Sequence, residues 1–534
     1  MALVPITSVG RLGIIADKQP HTLPPEAWSG GQNIGFSENG VYRIKGQTAV
    51  YGTPSVDPYW CFPWSDVATN YWIYTSTGQA YRMTATGHTE VTRLTATGGA
   101  NDYTAGDNPL WNGGVLGGVP VINNRALTDP PQVWDSGTTK FIDLTNWPAS
   151  TYAKVVRPYL NFLVALHMKE SGTEYPTKVR WSSSADPGTV PTSWVASGTN
   201  DAGSASLSDT TGHIVDMATL KGVNIIYKKD IAYSMQYVGG EYIFDFNILF
   251  PNLGLLAPRA VKEFFGRHFM VTQGDVVIHD GAQIQSVVKD KYRSWLFNSI
   301  EDTAEDYVFV VPNYSLREMW ICFVESGRTD KLASLALIWN WRDDTWTVRE
   351  LPTVAHIGIG LIDTSGVSMT FDGGSGTVFD DDLGTFGTRA YSPYENQLLM
   401  ARPGSSKAFY KTNDSNKFAG NLFTSYIERV GLTISGVDRH GQPKSDPSSV
   451  KFLRAIYPKI SADTGTLIDI YVGTQMSMNE AIKWHGPYSF DPSTDKKINC
   501  FVSGRFLGVK FQSSSARRWT LHGYDLDVGV LGVF

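Results

Sequence analysis

Cysteine is scarce in this chain. Cys61, Cys322 and Cys500 are the only three in 534 residues, and they stand far apart. That spacing excludes a disulfide framework and a cysteine-based zinc cluster, and it suits synthesis in a reducing compartment. Cys322 lies in the apolar run EMWICFVES and is expected to be a buried structural thiol. Long hydrophobic runs are also missing. The longest, LASLALIWNW at 332–341, is too short to cross a bilayer. The opening MALVPITSVGRLG lacks the basic stretch and apolar core of a secretion signal. A soluble chain with no membrane span is expected, leaving its cell of synthesis by lysis or not at all. Basic charge is not in excess: 45 Lys and Arg face 51 Asp and Glu, for a net charge of −6. This argues against a dedicated DNA-clamping surface. A mildly acidic wall would still let a polyanion slide past.

Catalytic signatures are absent as well. The chain has no H-E-x-x-H, no Walker A motif and no G-x-S-x-G; the nearest miss, Gly373-Gly374-Ser375-Gly376-Thr377, reads as a turn. Its ten histidines are scattered, and His268 and His279 are expected to pack or face solvent rather than bind metal. The segment DGGSGTVFDDDLG at 372–384 gathers Asp372, Asp380, Asp381 and Asp382. Four carboxylates in a Gly-rich loop could hold a divalent cation, but the D-x-D-x-D-G spacing that wraps one ion is lacking, and a solvated turn is the simpler reading. No catalytic residue, metal site or cofactor is expected.

What the sequence does have is aromatic residues and glycine: 16 Trp, 25 Tyr, 25 Phe and 52 Gly. This is the composition of an all-β protein with many tight turns. TLIDIYVG (466–473) and RFLGVKFQS (505–513) alternate with the two-residue period of half-buried sheet. DYVFVV (306–311) and MWICFV (319–324) are apolar on both faces, as strands covered on both sides would be. One short helix is expected at APRAVKEFF (257–265). Units of strand, polar turn and strand recur at 80–94, 132–144, 224–237, 275–288, 337–351 and 407–414, about 50 to 95 residues apart. Irregular repeats of this kind are what propeller blades look like in sequence. The expected organisation is an N-terminal strap at 1–55 that docks on another surface, an irregular β-propeller-like domain at 56–420, and a β-sandwich-like domain at 421–534.

VRWSSSADPGTVPTSW (179–194) contains a partial match to S-x-D-x-G-x-x-W, the "Asp box" turn of sialidase propellers, and SADTGT from Ser461 is a second partial match. The box is structural. Asp186, Pro187 and Gly188 form a turn by their own preferences and carry no signal for sugar cleavage.

Read more widely, three blocks resemble the tail nozzle, or tail tubular "stabilisation", proteins of short-tailed bacteriophages. The first is PPEAWSGGQNIGF, Pro24 to Phe36. The second runs from Trp181 to Trp194, Ala202 to Gly212 and Ile226 to Gly240; the third is Gly504 to Val528. Residues 300–420 match only in general character. The resemblance implies an irregular β-propeller that assembles as a homo-hexameric ring below the portal and adaptor. It implies a non-enzymatic virion protein, made in the host cytoplasm and located in the tail, that conducts double-stranded DNA without reading its sequence. Tail fibres or tailspikes would attach nearby. Asp372, Asp380, Asp381 and Asp382 are candidates for a lumen or gate loop of that ring. The alternatives are a tail-associated glycan or receptor binder and, further off, a propeller glycosidase acting on capsule or cell-wall sugar.

Overall fold

The computed structural model describes residues 2–65, 70–94, 102–134, 139–240, 242–362 and 396–533. The chain is all-β. Seven four-stranded antiparallel sheets follow one another, and their first strands begin at Trp60, Trp111, Thr151, Ile214, Val261, Phe309 and His356. Each first strand touches the first strand of the next sheet, and the strand from His356 returns to the one from Trp60. The sheets are therefore the seven blades of a closed propeller, each with its first strand at the axis.

The blade units read from the sequence fall within these sheets. Residues 132–144, 275–288 and 337–351 carry the third and fourth strands of blades 2, 5 and 6. Residues 224–237 carry the second and third strands of blade 4. Blade 3 had no such unit. Strands Phe309–Asn313 and Glu318–Phe323 are buried almost throughout, as their apolar faces require.

The last blade is completed from far away. After His356–Gly360, Gln397–Arg402 and Ala408–Thr412, its fourth strand is Gln47–Val50, antiparallel to Ala408–Thr412. The two ends of the ring are thus joined by backbone hydrogen bonding.

Most of the remaining strands make a two-sheet sandwich, and Ile434–Val437 pairs with Pro443–Ser445 in a separate hairpin. Ser449–Ala462 and Trp519–Val533 form the centre of one sheet, flanked by Ile498–Gly504, Gly40–Arg43 and Ala2–Ile6. The other orders Gly30–Gln32, Ser425–Leu432, Phe506–Ser513, Ile468–Gln475 and Lys483–Phe490. Ile468, Ile470, Val472, Leu507, Val509 and Phe511 all point inward, on the faces that the alternation assigns them. Across the sandwich Phe511 meets Tyr524 at 5.5 Å, and Trp28 sits edge-on to Phe511.

Two expectations change here. Residues 1–55, expected as a strap docking on another surface, are built into the sheets themselves: four of their strands belong to the sandwich and one to the propeller. Exposed strand edges offered by the later sequence take them up. Residues 257–265 contain no helix; Val261–Phe264 is the innermost strand of blade 5, with Val261 and Phe264 buried. Helix propensity is a weak prior that sheet burial overrides. The α-helix among the described residues is instead Arg293–Ser299, anchored by Leu296.

Candidate functional site

The seven first strands enclose an axial cavity of about 450 Å³. Its wall has an apolar and a charged side. Trp60, Phe62 and Trp111 line blades 1 and 2, and Phe309 and Ile357 line blades 6 and 7. Gly113 is part of the same wall at φ +148°, where a Cβ would sit 2.0 Å from the Val121 carbonyl oxygen. Only glycine lets the neighbouring backbone approach so closely.

Charge is concentrated on blades 3 to 5. Arg157 grips Asp216 with both arms of its guanidinium, Nε to Oδ1 at 2.6 Å and Nη2 to Oδ2 at 2.7 Å. Asp216 also accepts the backbone N–H groups of Met217 at 2.8 Å and Arg259 at 3.0 Å. Burial works against its charged form, but the Arg157 guanidinium and these donors outweigh it and hold the carboxyl below its ordinary value. The pair ties blade 3 to blade 4, and the Arg259 N–H adds blade 5.

Arg259 is the unusual member. It is 8% exposed, and its Nε and Nη1 are buried without a hydrogen-bond partner. Its guanidinium lies 5.6 Å from the Phe309 ring centre, a cation–π distance. Its backbone adopts φ +66°, a left-handed conformation that a side chain rarely occupies. Burial, followed by repulsion from Arg157 and Arg125, pushes its pKa down to about 10. Lys262, on the innermost strand of blade 5, lines the same cavity with its side chain open to solvent. The surrounding wall, and then the Arg157 charge, lower its ammonium below the ordinary value.

On the opposite wall His356 faces Cys61. The Cys61 N–H donates to His356 Nδ1 at 3.3 Å, which leaves the imidazole proton on Nε2. Burial, then the nearby Arg259 and Lys262, keeps this histidine neutral, with its pKa well below the ordinary value. Cys61 Sγ is 3.8 Å from the same ring nitrogen. The arrangement has the composition of a nucleophilic dyad, but burial pushes the thiol up to about 12, so it is not an activated thiolate. Cys322 and Cys500 are buried and free, with thiols raised in the same direction.

His268 and His279 lie directly opposite each other on neighbouring strands and share Tyr227. The Tyr227 hydroxyl is 2.6 Å from His268 Nδ1 and 2.7 Å from His279 Nε2. His268 Nε2 donates to the Thr219 carbonyl at 2.9 Å. Hence Tyr227 donates to His268 and accepts from His279. Burial lowers both imidazoles, His279 to about 4. This is a neutral, buried relay joining blades 4 and 5. Among the described residues no group of three or more His, Cys, Asp or Glu could hold a metal.

The Asp-box-like stretch is a blade junction. The Asp186 backbone carbonyl, rather than its carboxylate, accepts from Thr189 N–H at 3.0 Å, and Gly188 donates to Gly117 of the adjacent blade at 2.7 Å. Trp194 is buried edge-on to Trp147 at 4.5 Å. Near Ser461, the Asp463 carboxylate accepts the Arg518 N–H at 2.9 Å at an exposed strand connection of the sandwich. Asp372, Asp380, Asp381 and Asp382 lie outside the described residues.

The channel residues carry no local motif, since each strand contributes at most four, scattered along the sequence. A faint signal exists in IVDMATL, where Asp216 interrupts a largely apolar strand; in TYAKVVRPY, Arg157 is accompanied by Lys154. A charge in such a place needs a partner. No helix among the described residues is long and apolar enough to cross a membrane.

No family model matches the chain, and no curated protein matches it. Among solved structures it is similar to PorZ, a surface component of the type-IX secretion system of Porphyromonas gingivalis, with 9% identity and a TM-score of 0.34. That likeness covers 73% of this chain and 43% of PorZ, so the chain spans less than half the length of that protein. At this similarity it carries no argument about function.

Proposed function

We propose that this chain is a structural virion protein of the bacteriophage tail nozzle. Copies of it would form a ring, a homo-hexamer, below the portal and adaptor, and the ring would conduct the genome during ejection. The observation that carries the reading is the set of three ordered sequence blocks. The fold gives two of them a shared purpose. Trp28, in the block Pro24 to Phe36, packs on Phe511 and Tyr524 of the block Gly504 to Val528. Residues that resemble one family at opposite ends of the sequence therefore build one sandwich core.

Size decides where DNA would travel on this reading. A cavity of about 450 Å³ suits a small molecule. A duplex, whose major groove alone is about 12 Å wide, does not fit. The conduit would be the space enclosed between copies, with one repeated interface closing the ring. Exposed apolar side chains supply contact surface for such interfaces; Tyr242 is 77% exposed and Phe265 is 73% exposed. The role needs no chemistry of its own, no cofactor and no sequence-specific DNA contact. Portal-adaptor and tail-fibre or tailspike proteins are the partners it implies.

The test is quantitative mass spectrometry of purified virus particles, comparing this chain with the portal protein. A fixed copy number half that of the portal is expected. Absence from particles, or a low and variable number, would overturn the nozzle reading and favour a peripheral glycan binder or an enzyme.

A further inference from the structure

We propose that the axial channel of the propeller is a binding site for a small oxyanion, a phosphate or a carboxylate, held between Arg259 and Lys262. Four observations converge on it. First, Arg259 is more than nine-tenths buried and lines the cavity, and its Nε and Nη1 have no partner. A buried guanidinium without acceptors is costly, and protein interiors ordinarily satisfy such donors. Second, Lys262 enters the same space with no hydrogen bond or ion pair to any described residue. Third, the carboxylates nearby are already engaged. Asp216 is taken by Arg157 and two backbone N–H groups, and Glu263 accepts the Gly266 N–H at 2.8 Å. Arg259 Nε and Nη1 and the Lys262 ammonium are left facing the cavity without an acceptor bonded to them. Fourth, Arg259 holds a left-handed backbone, φ +66°. Strain of this sort persists where surrounding structure enforces it, and it clusters at ligand sites. Here the enforcement is visible: the Arg259 N–H is held by Asp216, and its carbonyl accepts from Val310 N–H at 3.0 Å.

The ligand chemistry follows from the donors. A guanidinium presents a planar fork that matches two oxygens of a carboxylate or phosphate, and an ammonium adds a point charge. His356, with its proton on Nε2, lines the same cavity and adds a neutral donor to the wall. Trp60, Phe62 and Phe309 line the same cavity with apolar surface. A neutral or cationic ligand would leave both cations unanswered. The site does not rest on the nozzle reading and would survive its failure.

The experiment is isothermal titration of the full chain in Tris chloride at constant ionic strength. One arm uses sodium phosphate, the other sodium citrate. Saturable heat with phosphate alone assigns a tetrahedral anion, and with citrate alone a carboxylate; heat with both supports the shared oxyanion chemistry. In each case Arg259→Met should abolish the heat. Its melting temperature without oxyanion should equal or exceed that of the unaltered chain, because an unanswered charge has been removed. Lys262→Met, at a solvent-exposed position, should fold normally and bind at least tenfold more weakly. If Arg259→Met fails to fold, this second variant decides. No saturable heat in either arm overturns the proposal. So does binding retained in Arg259→Met, or unchanged in Lys262→Met.

Discussion

Asp216 shows how much a single side chain can hold. Its two oxygens take the Arg157 guanidinium and two backbone N–H groups from blades 4 and 5. Asp216→Asn keeps the shape but removes the charge and leaves Arg157 unanswered. Breaking a buried pair from one side costs on the order of 3–5 kcal/mol. Because Arg157 is 24% exposed, the lower end of that range is expected, read as a lowered urea midpoint with an unchanged slope. At this scale the sequence was partly readable. Asp216 stands out as a charge inside a largely apolar strand, and Cys322 sits in a run that could only be core. Arg259 gave no such sign. Its burial and its backbone depend on neighbours from blades 4 and 6, which are far away in sequence.

Strands were more legible than their partners. Residues 505–513 declare their inward and outward faces through alternation, because the period of two is a local property. Nothing local says that Gln47–Val50 completes the last blade. Its register with Ala408–Thr412 is set by an edge that appears about 360 residues later. The failed helix at 257–265 is the same lesson: Ala260, Val261 and Phe264 are buried by neighbouring strands, not by a helical face. The closing strand also gives a prediction. Successive N–H groups of a strand point to opposite sides, so Thr48→Pro combined with Ala49→Pro removes one donor that must face Ala408–Thr412. Hydrogen exchange of the 408–412 amides should then accelerate by about tenfold or more, while those of blade 4 stay protected. Unchanged exchange at 408–412 would show that the blade holds without its borrowed strand.

Blades 4 to 6 and the sandwich share one apolar core. A single apolar cluster joins Leu255, Phe269 and Trp346 of the blades to Ile470, Leu521 and Tyr524 of the sandwich. Asn33 is buried in the seam, donating to Glu350 at 3.0 Å and to the Thr424 carbonyl at 2.8 Å. Close by, Glu318 and Arg349 of blade 6 face Arg43 and Trp519 across a cavity. Burial raises the Glu318 carboxyl to about 7 against the pull of Trp320 Nε1 and Arg349. Between pH 4.5 and 7 the folded chain therefore binds more protons here than the unfolded chain. Stability from this group falls as pH rises through that window, and the full penalty is present above 7. Glu318→Gln keeps the acceptor for Trp320 and should flatten this slope. At pH 8 it should raise stability by on the order of 1–3 kcal/mol, measured by thermal unfolding. An unaltered pH profile would place the carboxyl at its ordinary value.

The borrowed strand has a consequence for synthesis. Gln47–Val50 leaves the ribosome long before Ala408–Thr412, and Ala2–Ile6 long before Trp519–Val533. At about 5–20 residues per second, the first of these waits lasts roughly 20–70 s. During that time blades 1 to 6 can form in order while the early strands remain unpaired and open to wrong partners. Completion of the last blade is thus tied to completion of the chain. A nascent chain stalled before residue 408 has no means of closing its ring, and it presents bare strand edges to the chaperones and proteases that remove unfinished proteins.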